Sequence, residues 1–479
     1  MILFVPALFG QGVDDALRYS QVYYQGTARS MAMGNAFGAL GADFSSLSTN
    51  PAGLGIYRSS EFSITPEIFN RSTESTYNGF LSDESRSNFG LANLGFVFTN
   101  KANPAPTSAP WKFYQFAFGM NRLNNFNNRV FVEGDNLEHS KIDVYLDKAD
   151  GVDYQIIGDE NGRYPFDLYP AWYVYLIDTI PGYRDWYTSP VPQGGIRQQE
   201  MIESWGSVNE WLFSGAANLN DKVFFGATLG MPYLRYFRES TYTETDIADT
   251  IAGFDYWNYK ESLTTKGWGI NLKLGIIAWP VDWLRVGAAF HTPTAFYELT
   301  DYYKTTTDAK LGSDYNVKTS PNGEFTYQLN TPLKAIGSVG FIIGKYGLIS
   351  GDYEYVDYSK TRLRAPDYTF SDENSQIRKS FQSTYNLRLG TEWRVSAFSL
   401  RGGYSIYGSP YASDLNDAKL SSYSFGVGYS EGNLGLDLAY VHTAAEKDYY
   451  LYASENFTTK AAKQEINGNH FALTLRAKF

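Results

Sequence analysis

From about residue 60 onward, apolar and polar side chains alternate with a period of two. That period belongs to strands with one face in an apolar medium and the other in a polar one. Trp268, Ile270, Leu272, Leu274 and Ile276 alternate with Gly269, Asn271, Lys273 and Gly275. Tyr385, Leu387 and Leu389 alternate with Asn386, Arg388 and Gly390, and Phe398, Leu400, Tyr404 and Ile406 with Ser399, Arg401, Gly403 and Ser405. Leu434, Leu436, Leu438 and Tyr440 enclose Gly435, Asp437 and Ala439. The last residues set Phe471, Leu473, Leu475, Ala477 and Phe479 against His470, Ala472, Thr474, Arg476 and Lys478. A soluble sandwich would coat its second face with long charged side chains. Here that face mixes Gly, Ser, Asn and scattered charge, which suits the crowded polar lumen of a barrel.

The pattern predicts fourteen strands, at 60–71, 88–99, 111–124, 207–219, 222–243, 261–279, 283–304, 324–344, 346–364, 383–395, 398–408, 419–430, 434–452 and 467–479. Very short turns fall at Asn220-Asp221, Pro280-Val281-Asp282, Lys345, Ser396-Ala397 and Glu431-Gly432-Asn433, with 100–110 a longer member of that class. Long polar loops are expected at 72–87, 125–206, 244–260, 305–322, 365–382, 409–418 and 453–466. Alternating short and long connections read as periplasmic turns and extracellular loops. The fold class is then all-β, a transmembrane outer-membrane β-barrel of about 14 antiparallel strands in a Gram-negative bacterium, with both ends in the periplasm.

Residues 11–59 do not share the alternation. Between Gly26 and Gly55, six Gly and six Ala sit among small polar residues, with Met31, Met33, Phe37, Leu40 and Phe44 as the larger apolar side chains. The segment reads as an N-terminal hatch of short helices and turns plugging the lumen of a barrel over 60–479. Before it, Ile2–Phe9 is a short apolar stretch ending at Gly10-Gln11, expected to be the remnant of a secretory signal peptide over 1–10.

Composition narrows the chemistry. Tyr 39, Phe 32 and Trp 10 fit the interfacial girdles of a membrane barrel. Mean hydropathy is -0.34 and no run of 18 apolar residues follows the N-terminus, which excludes helical spans but not a barrel. A net charge of -11 argues against a nucleic-acid partner. The absence of Cys removes disulfides, Cys-based zinc sites and thiol nucleophiles. His139, His291, His442 and His470 lack ligand spacing, so no metal and no cofactor is expected. Gly428-Tyr429-Ser430-Glu431-Gly432 matches a nucleophile-elbow pattern, but that chemistry needs a strand-to-helix turn. This stretch leads from one strand straight into another, so a hairpin rather than an enzyme is expected.

The hatch ends in Asn50-Pro51-Ala52-Gly53-Leu54, directly before the first strand. Together with Trp283–Pro293, Asp352–Ser359 and Leu387–Glu392, this stretch resembles the FadL/TodX family of outer-membrane channels for hydrophobic compounds. The resemblance covers the hatch and the chain from about 265 to the end. It implies that Asn50, Pro51, Ala52 and Gly53 hold the hatch in register with the wall. It also implies passive uptake of a hydrophobic or amphipathic molecule, such as a long-chain fatty acid. The ligand would be captured at extracellular loops, pass to a pocket above the hatch, and leave past it or sideways through a kinked third strand. Gly119 is the candidate for that kink. An apolar molecule gains about 25 cal/mol per Å² on leaving water, so lateral escape into hydrocarbon avoids a wet lumen.

Two further groups are candidates. Lys273, Arg285, Arg388 and Arg401 face the lumen and could hold a ligand headgroup, or pair with acidic neighbours across the ladder. The loop 125–206, with Trp172, Trp186, Trp205 and the aromatic run Tyr164–Tyr173, is expected to form an extracellular cap. Its rings could be a ligand-landing surface, a protein-docking surface, or the core of a folded loop. Expected partners are membrane lipid with a lipopolysaccharide-type outer leaflet, a hydrophobic small molecule, and other outer-membrane proteins. The last belong to the alternative reading, a non-transporting barrel that serves as subunit or docking platform of a secretion or assembly machine.

Overall fold

Fourteen strands close into one antiparallel barrel in a computed structural model that describes residues 12–102, 110–249, 251–412, 416–454, 456–457 and 459–479. The expected signal-peptide remnant lies outside the described residues. The strands are β1 Glu61–Tyr77, β2 Phe80–Lys101, β3 Trp111–Asn125 continued by Asn128–Asn136, β4 Ile196–Leu219, β5 Val223–Asp246 and β6 Tyr256–Val281. Then come β7 Leu284–His291 and Ala295–Leu311, β8 Gly323–Asn330 and Lys334–Ile343, and β9 Gly347–Asp357 and Arg362–Arg364. The set ends with β10 Ser383–Val395, β11 Phe398–Tyr407, β12 Leu420–Glu431, β13 Leu434–Tyr449 and β14 Ala462–Lys478. Each pairs with its neighbour in sequence, and β14 closes on β1 from Glu61↔Lys478 to Thr76↔Lys463.

The alternation has its physical cause in this closure. Residues of one parity, such as Phe118, Phe213, Leu274, Leu389, Phe425, Leu438 and Phe471, stand exposed on the outer wall. Those of the other parity are buried against the hatch. Asn220 and Asp221 both take left-handed backbone (φ 55° and 56°) in the tight β4–β5 turn.

Several strands run further than the alternation suggested. β1 and β2 climb to a two-residue turn, Asn78-Gly79, both residues at positive φ, where a loop over 72–87 was expected. Above the apolar band both faces meet water or polar neighbours, so the periodic signal fades while the ladder continues. For the same reason β3 and β4 take 128–136 and 196–206 from the expected 125–206 loop. β5 and β6 narrow the 244–260 loop, and β7 continues into a hairpin with a short strand, Asp314–Thr319, where a loop over 305–322 was expected. The 365–382 loop carries a helix, Ser371–Ser380. Conversely, the strands expected unbroken at 283–304, 324–344 and 346–364 each break. Pro293 and Pro332 lie in two of the breaks and have no amide to donate to a ladder.

The hatch lies inside this wall as helices α1 Val13–Ser20, α2 Ala28–Ala32 and α3 Ser46–Thr49, followed by a 3-10 turn, Pro51–Ile56. α1 packs under the long-loop end against Leu234, Phe296, Leu329 and Phe370. α2 rests on Ala439 and Ala472, and Phe44, Leu47 and Leu54 pack on Val97, Ala117 and Leu212 nearer the short-turn end.

Candidate functional site: a lumen pocket, an overlapped wall and a cap

Asn50 is one of the residues that join the hatch to the wall. Its Oδ1 accepts from Ala52 N (3.1 Å), while Nδ2 donates to Gly38 O (2.7 Å) and to Ile276 O on β6 (3.2 Å). The wall is notched to receive it. A Cβ on Gly275 would fall 1.9 Å from Asn50 Oδ1, and one on Gly226 would fall 2.2 Å from Pro51 O. Ala52 packs on Phe224 and Ile277, and Gly53 lies against Gly41, where a side chain would strike the backbone at 2.6 Å.

Above this anchor, hatch residues 19–24 and strands β3 to β8 enclose a cavity. Its volume is small, about 40 Å³. Tyr24, Leu123 and Phe296 supply apolar surface, and Lys273, His291 and Lys334 polar surface. The paired breaks in β7 and β8 form part of its wall, joined by Thr331 N to Thr294 O (3.0 Å).

The cations around the pocket are already matched. Lys273 is paired with Glu210, which also accepts from Asn271 (2.9 Å). Lys334 lies 3.9 Å from Glu354, and Arg388 lies 3.0 Å from Glu354 and 3.7 Å from Asp352. His291 Nε2 donates to Thr49 O of the hatch at 2.7 Å. Of the four cations picked from sequence, Lys273 lines the pocket and Arg388 sits 5.1 Å from the Tyr24 ring that lines it. Arg285 and Arg401 lie elsewhere. Arg285 covers the Trp279 ring (4.4 Å) and donates to Leu40 O (3.2 Å), and Arg401 bridges Glu392 (2.8 Å) and Asp437 (2.7 Å).

The wall beside the pocket is overlapped rather than continuous. The β2–β3 ladder runs from Lys101↔Phe113 to Asn93↔Asn121 and stops. Beyond that point β3 slips register between Arg122 and Asn124 and continues beside β4 alone. β2 from Phe80 to Leu91 remains paired with β1. The β1–β2 hairpin therefore lies across the outer face of β3 and β4. Ser82 donates to Phe131 O (2.6 Å), Asn88 to Asn127 (3.2 Å), and Arg86 reaches Glu203 (3.5 Å) and the Trp205 ring (5.2 Å). On the lumen side the hatch takes the place that β2 vacates: Tyr23 N donates to Leu123 O (2.9 Å) and Gln25 N to Arg122 O (3.1 Å).

This corrects the expectation at Gly119. That residue sits in unbroken ladder opposite Gly95 and Leu212. A Cβ there would lie 2.6 Å from the Phe44 ring, so the glycine seats a hatch side chain, and the irregularity begins at Arg122. A signal was present: Phe116, Phe118 and Met120 form an apolar stripe whose next position is Arg122.

The cap occupies 137–195 and carries three short helices, α4 Lys141–Ala149, α5 Tyr154–Ile157 and α6 Leu168–Tyr173. Ile142, Ile157, Leu168 and Leu176 share a core with Val130, Val132, Trp257 and Tyr452 of the rim. Glu244, fully buried, pins it down. Its carboxylate accepts from Ser140 Oγ (2.6 Å), Lys141 N (2.8 Å), Gln198 Nε2 (2.9 Å), Tyr242 Oη (2.6 Å) and Trp257 Nε1 (2.7 Å). Trp172 packs on that core, whereas Trp186 is half exposed and stacks on Tyr183 with ring centres 4.6 Å apart. Trp205 is not a cap residue. It belongs to β4 and stacks on Phe237 (5.3 Å) beneath the overlapping hairpin. On the cap surface, the hydrogen bond from Arg184 holds the Asp153 carboxyl below its ordinary range. Burial pushes the Lys148 ammonium below its ordinary value, against the opposing pull of Asp167.

No protein-family model and no curated protein matches the chain. Solved structures do. A Pseudomonas aeruginosa FadL homologue aligns with TM-score 0.58 and 12% identity over 96% of this chain and 99% of its own. A P. putida toluene transporter, TodX, aligns with TM-score 0.56 and 14% identity over 96% and 99%. The CymD monoaromatic hydrocarbon channel gives 0.51 and 12% over 96% and 98%. Over almost its whole length, this chain has the fold of the FadL/TodX-type channels.

Proposed function

We propose that the chain is a passive outer-membrane channel through which small hydrophobic molecules enter the cell, with no enzymatic step. The ligand is captured at the extracellular cap, settles in the pocket against hatch residues 19–24, and leaves sideways between β2 and β3. The observation that carries this reading is the overlapped wall, where the β2–β3 ladder ends beside the pocket and is replaced by side chains and a hatch segment. An apolar ligand gains about 25 cal/mol per Å² by staying out of water, and this route ends in hydrocarbon. The structural neighbours named as toluene and monoaromatic hydrocarbon transporters support the ligand class. The matched charges at Lys273, Lys334 and Arg388 favour neutral hydrocarbons over long-chain fatty acids, because a carboxylate would have to displace Glu210, Glu354 or Asp352. Purified protein in liposomes should speed transfer of toluene into the bilayer relative to protein-free vesicles. An unchanged rate would overturn the proposal.

The exposed Tyr183–Trp186 stack favours a second reading, a docking platform for another envelope protein. Native mass spectrometry of protein drawn gently from its own membrane separates the two. A stoichiometric protein partner without exchangeable ligand supports the platform, and a lone barrel carrying displaceable apolar mass supports the channel.

A further inference from the structure

We propose that Arg122 and Glu67 form a bolt across the overlapped wall, and that this ion pair sets how often the side passage opens. The inference rests on the lateral route described above but concerns residues that route does not itself identify. Arg122 stands at the last point where β3 could pair with β2, one residue past Asn121. Its side chain does not stay on its own strand. Nη1 lies 2.6 Å from Glu67 Oε1 on β1, and Nε donates to Asn209 on β4 (3.2 Å). Asn209 is its ladder partner on β4, whereas Glu67 lies on a strand that shares no ladder with β3, so one guanidinium ties β1 to the β3–β4 pair.

β2 is shaped to let it through. Gly90 pairs with Glu67, and a Cβ on Gly90 would fall 2.5 Å from Arg122 Nη1 and 3.1 Å from its Cζ. The space that a side chain on β2 would occupy is filled by the guanidinium. Both partners are buried, and Glu67 Oε2 has no hydrogen-bond partner among the described residues, so the carboxylate depends on Arg122. Further up, the overlap is held by polar contacts that water can replace: Asn88 with Asn127, Arg86 with Glu203, and Arg129 with Glu84 (3.6 Å). At the bolt water is excluded, and a charged pair in that setting is hard to part. Backbone pairing holds β3 to the hatch at the same residues, since Arg122 O accepts from Gln25 N. Lifting hatch residues 21–25 therefore leaves the Arg122–Glu67 pair as the buried tie beneath those water-replaceable contacts.

The chain has no Cys, so one introduced thiol reports the passage alone. Asn88→Cys places it on the inner face of the hairpin, and an uncharged membrane-soluble maleimide reads its exposure in liposomes. Arg122→Met on this background should raise the labelling rate at least tenfold. The double variant Arg122→Met/Glu67→Leu, which strands no charge, should label as fast as the single one. Gel mobility before and after heating checks that each barrel is folded, and if the single variant does not fold the double one carries the test. Labelling within twofold of the parent overturns the bolt. So does a double variant that returns to the parent rate, because the single effect would then come from a stranded carboxylate. Toluene transfer is read in the same vesicles. Faster labelling without faster transfer leaves the bolt standing and removes the lateral route.

Discussion

Replacing Glu244 with Gln changes few atoms but alters all five hydrogen bonds that its carboxylate makes. Five donors converge on the carboxylate, and two of them, Lys141 N and Trp257 Nε1, cannot act as acceptors. An amide has one acceptor oxygen. Whichever way it is turned, its NH₂ faces at least one of those two donors, and all five bonds lose the strength conferred by charge. Hydrogen bonds to charged groups contribute about 1.5–3 kcal/mol each, and a stranded donor costs about 1–3 kcal/mol. Because Ser140 and Gln198 can reorient, we expect a net loss of about 3 kcal/mol in cap closure. That corresponds to roughly a hundredfold in the opening equilibrium. Amide hydrogen exchange reads it directly. Exchange at α4 should accelerate about a hundredfold, while β10 to β13 keep parent rates. Acceleration below about threefold, or equal acceleration in the barrel strands, would refute the assignment of Glu244 as a local pin.

Asn50→Ala removes the side-chain bonds to Gly38, Ile276 and Ala52 and should loosen the hatch by about 2 kcal/mol. Planar-bilayer recordings should then show ion current where the parent is silent. Lys273→Met leaves the Glu210 carboxylate buried without its cation and should lower stability by about 3–5 kcal/mol, whereas Lys273→Met/Glu210→Gln recovers most of it. The temperature at which gel mobility changes compares the three proteins. The lowered Asp153 pKa gives the cap a contribution that is complete above the ordinary carboxylate range and is lost as pH falls through the lowered value. Proteolysis of the cap should therefore rise at acid pH in the parent, and Arg184→Gln should flatten that dependence near the carboxylate range.

Period-two patterning exposed the barrel because membrane and lumen impose opposite demands on adjacent residues, as at Leu272 and Lys273. It failed where that contrast ends. Ser72–Tyr77 and Phe80–Asn88 rise above the apolar band, and their ladder shows only in the Asn78-Gly79 turn, a strong hairpin signal in its own right. The hatch motif was legible at Asn50-Pro51 because a cap residue before a proline has few alternatives. Arg122 and Glu67 stand 55 residues apart, and Glu244 gathers donors from 140, 141, 198, 242 and 257. Such constellations depend on strand stagger and overlap, which no local pattern encodes. Trp205 was misplaced for the same reason, since a loop of that composition and a strand above the band look alike.

A closed ladder of fourteen strands has a fixed circumference, because no strand can move away from its neighbours without breaking a row of backbone bonds. The overlap of the β1–β2 hairpin on β3 and β4 releases that constraint on one rim only. Below Asn93 the tube is a rigid hoop. Above it the tube is a sleeve whose lip is held by side chains, Ser82 on Phe131 O and Asn78 on Asp135 O among them, rather than by a backbone ladder. The long-loop rim therefore lacks the complete hoop of backbone bonds that fixes the dimensions of the end that seats Asn50 and Pro51.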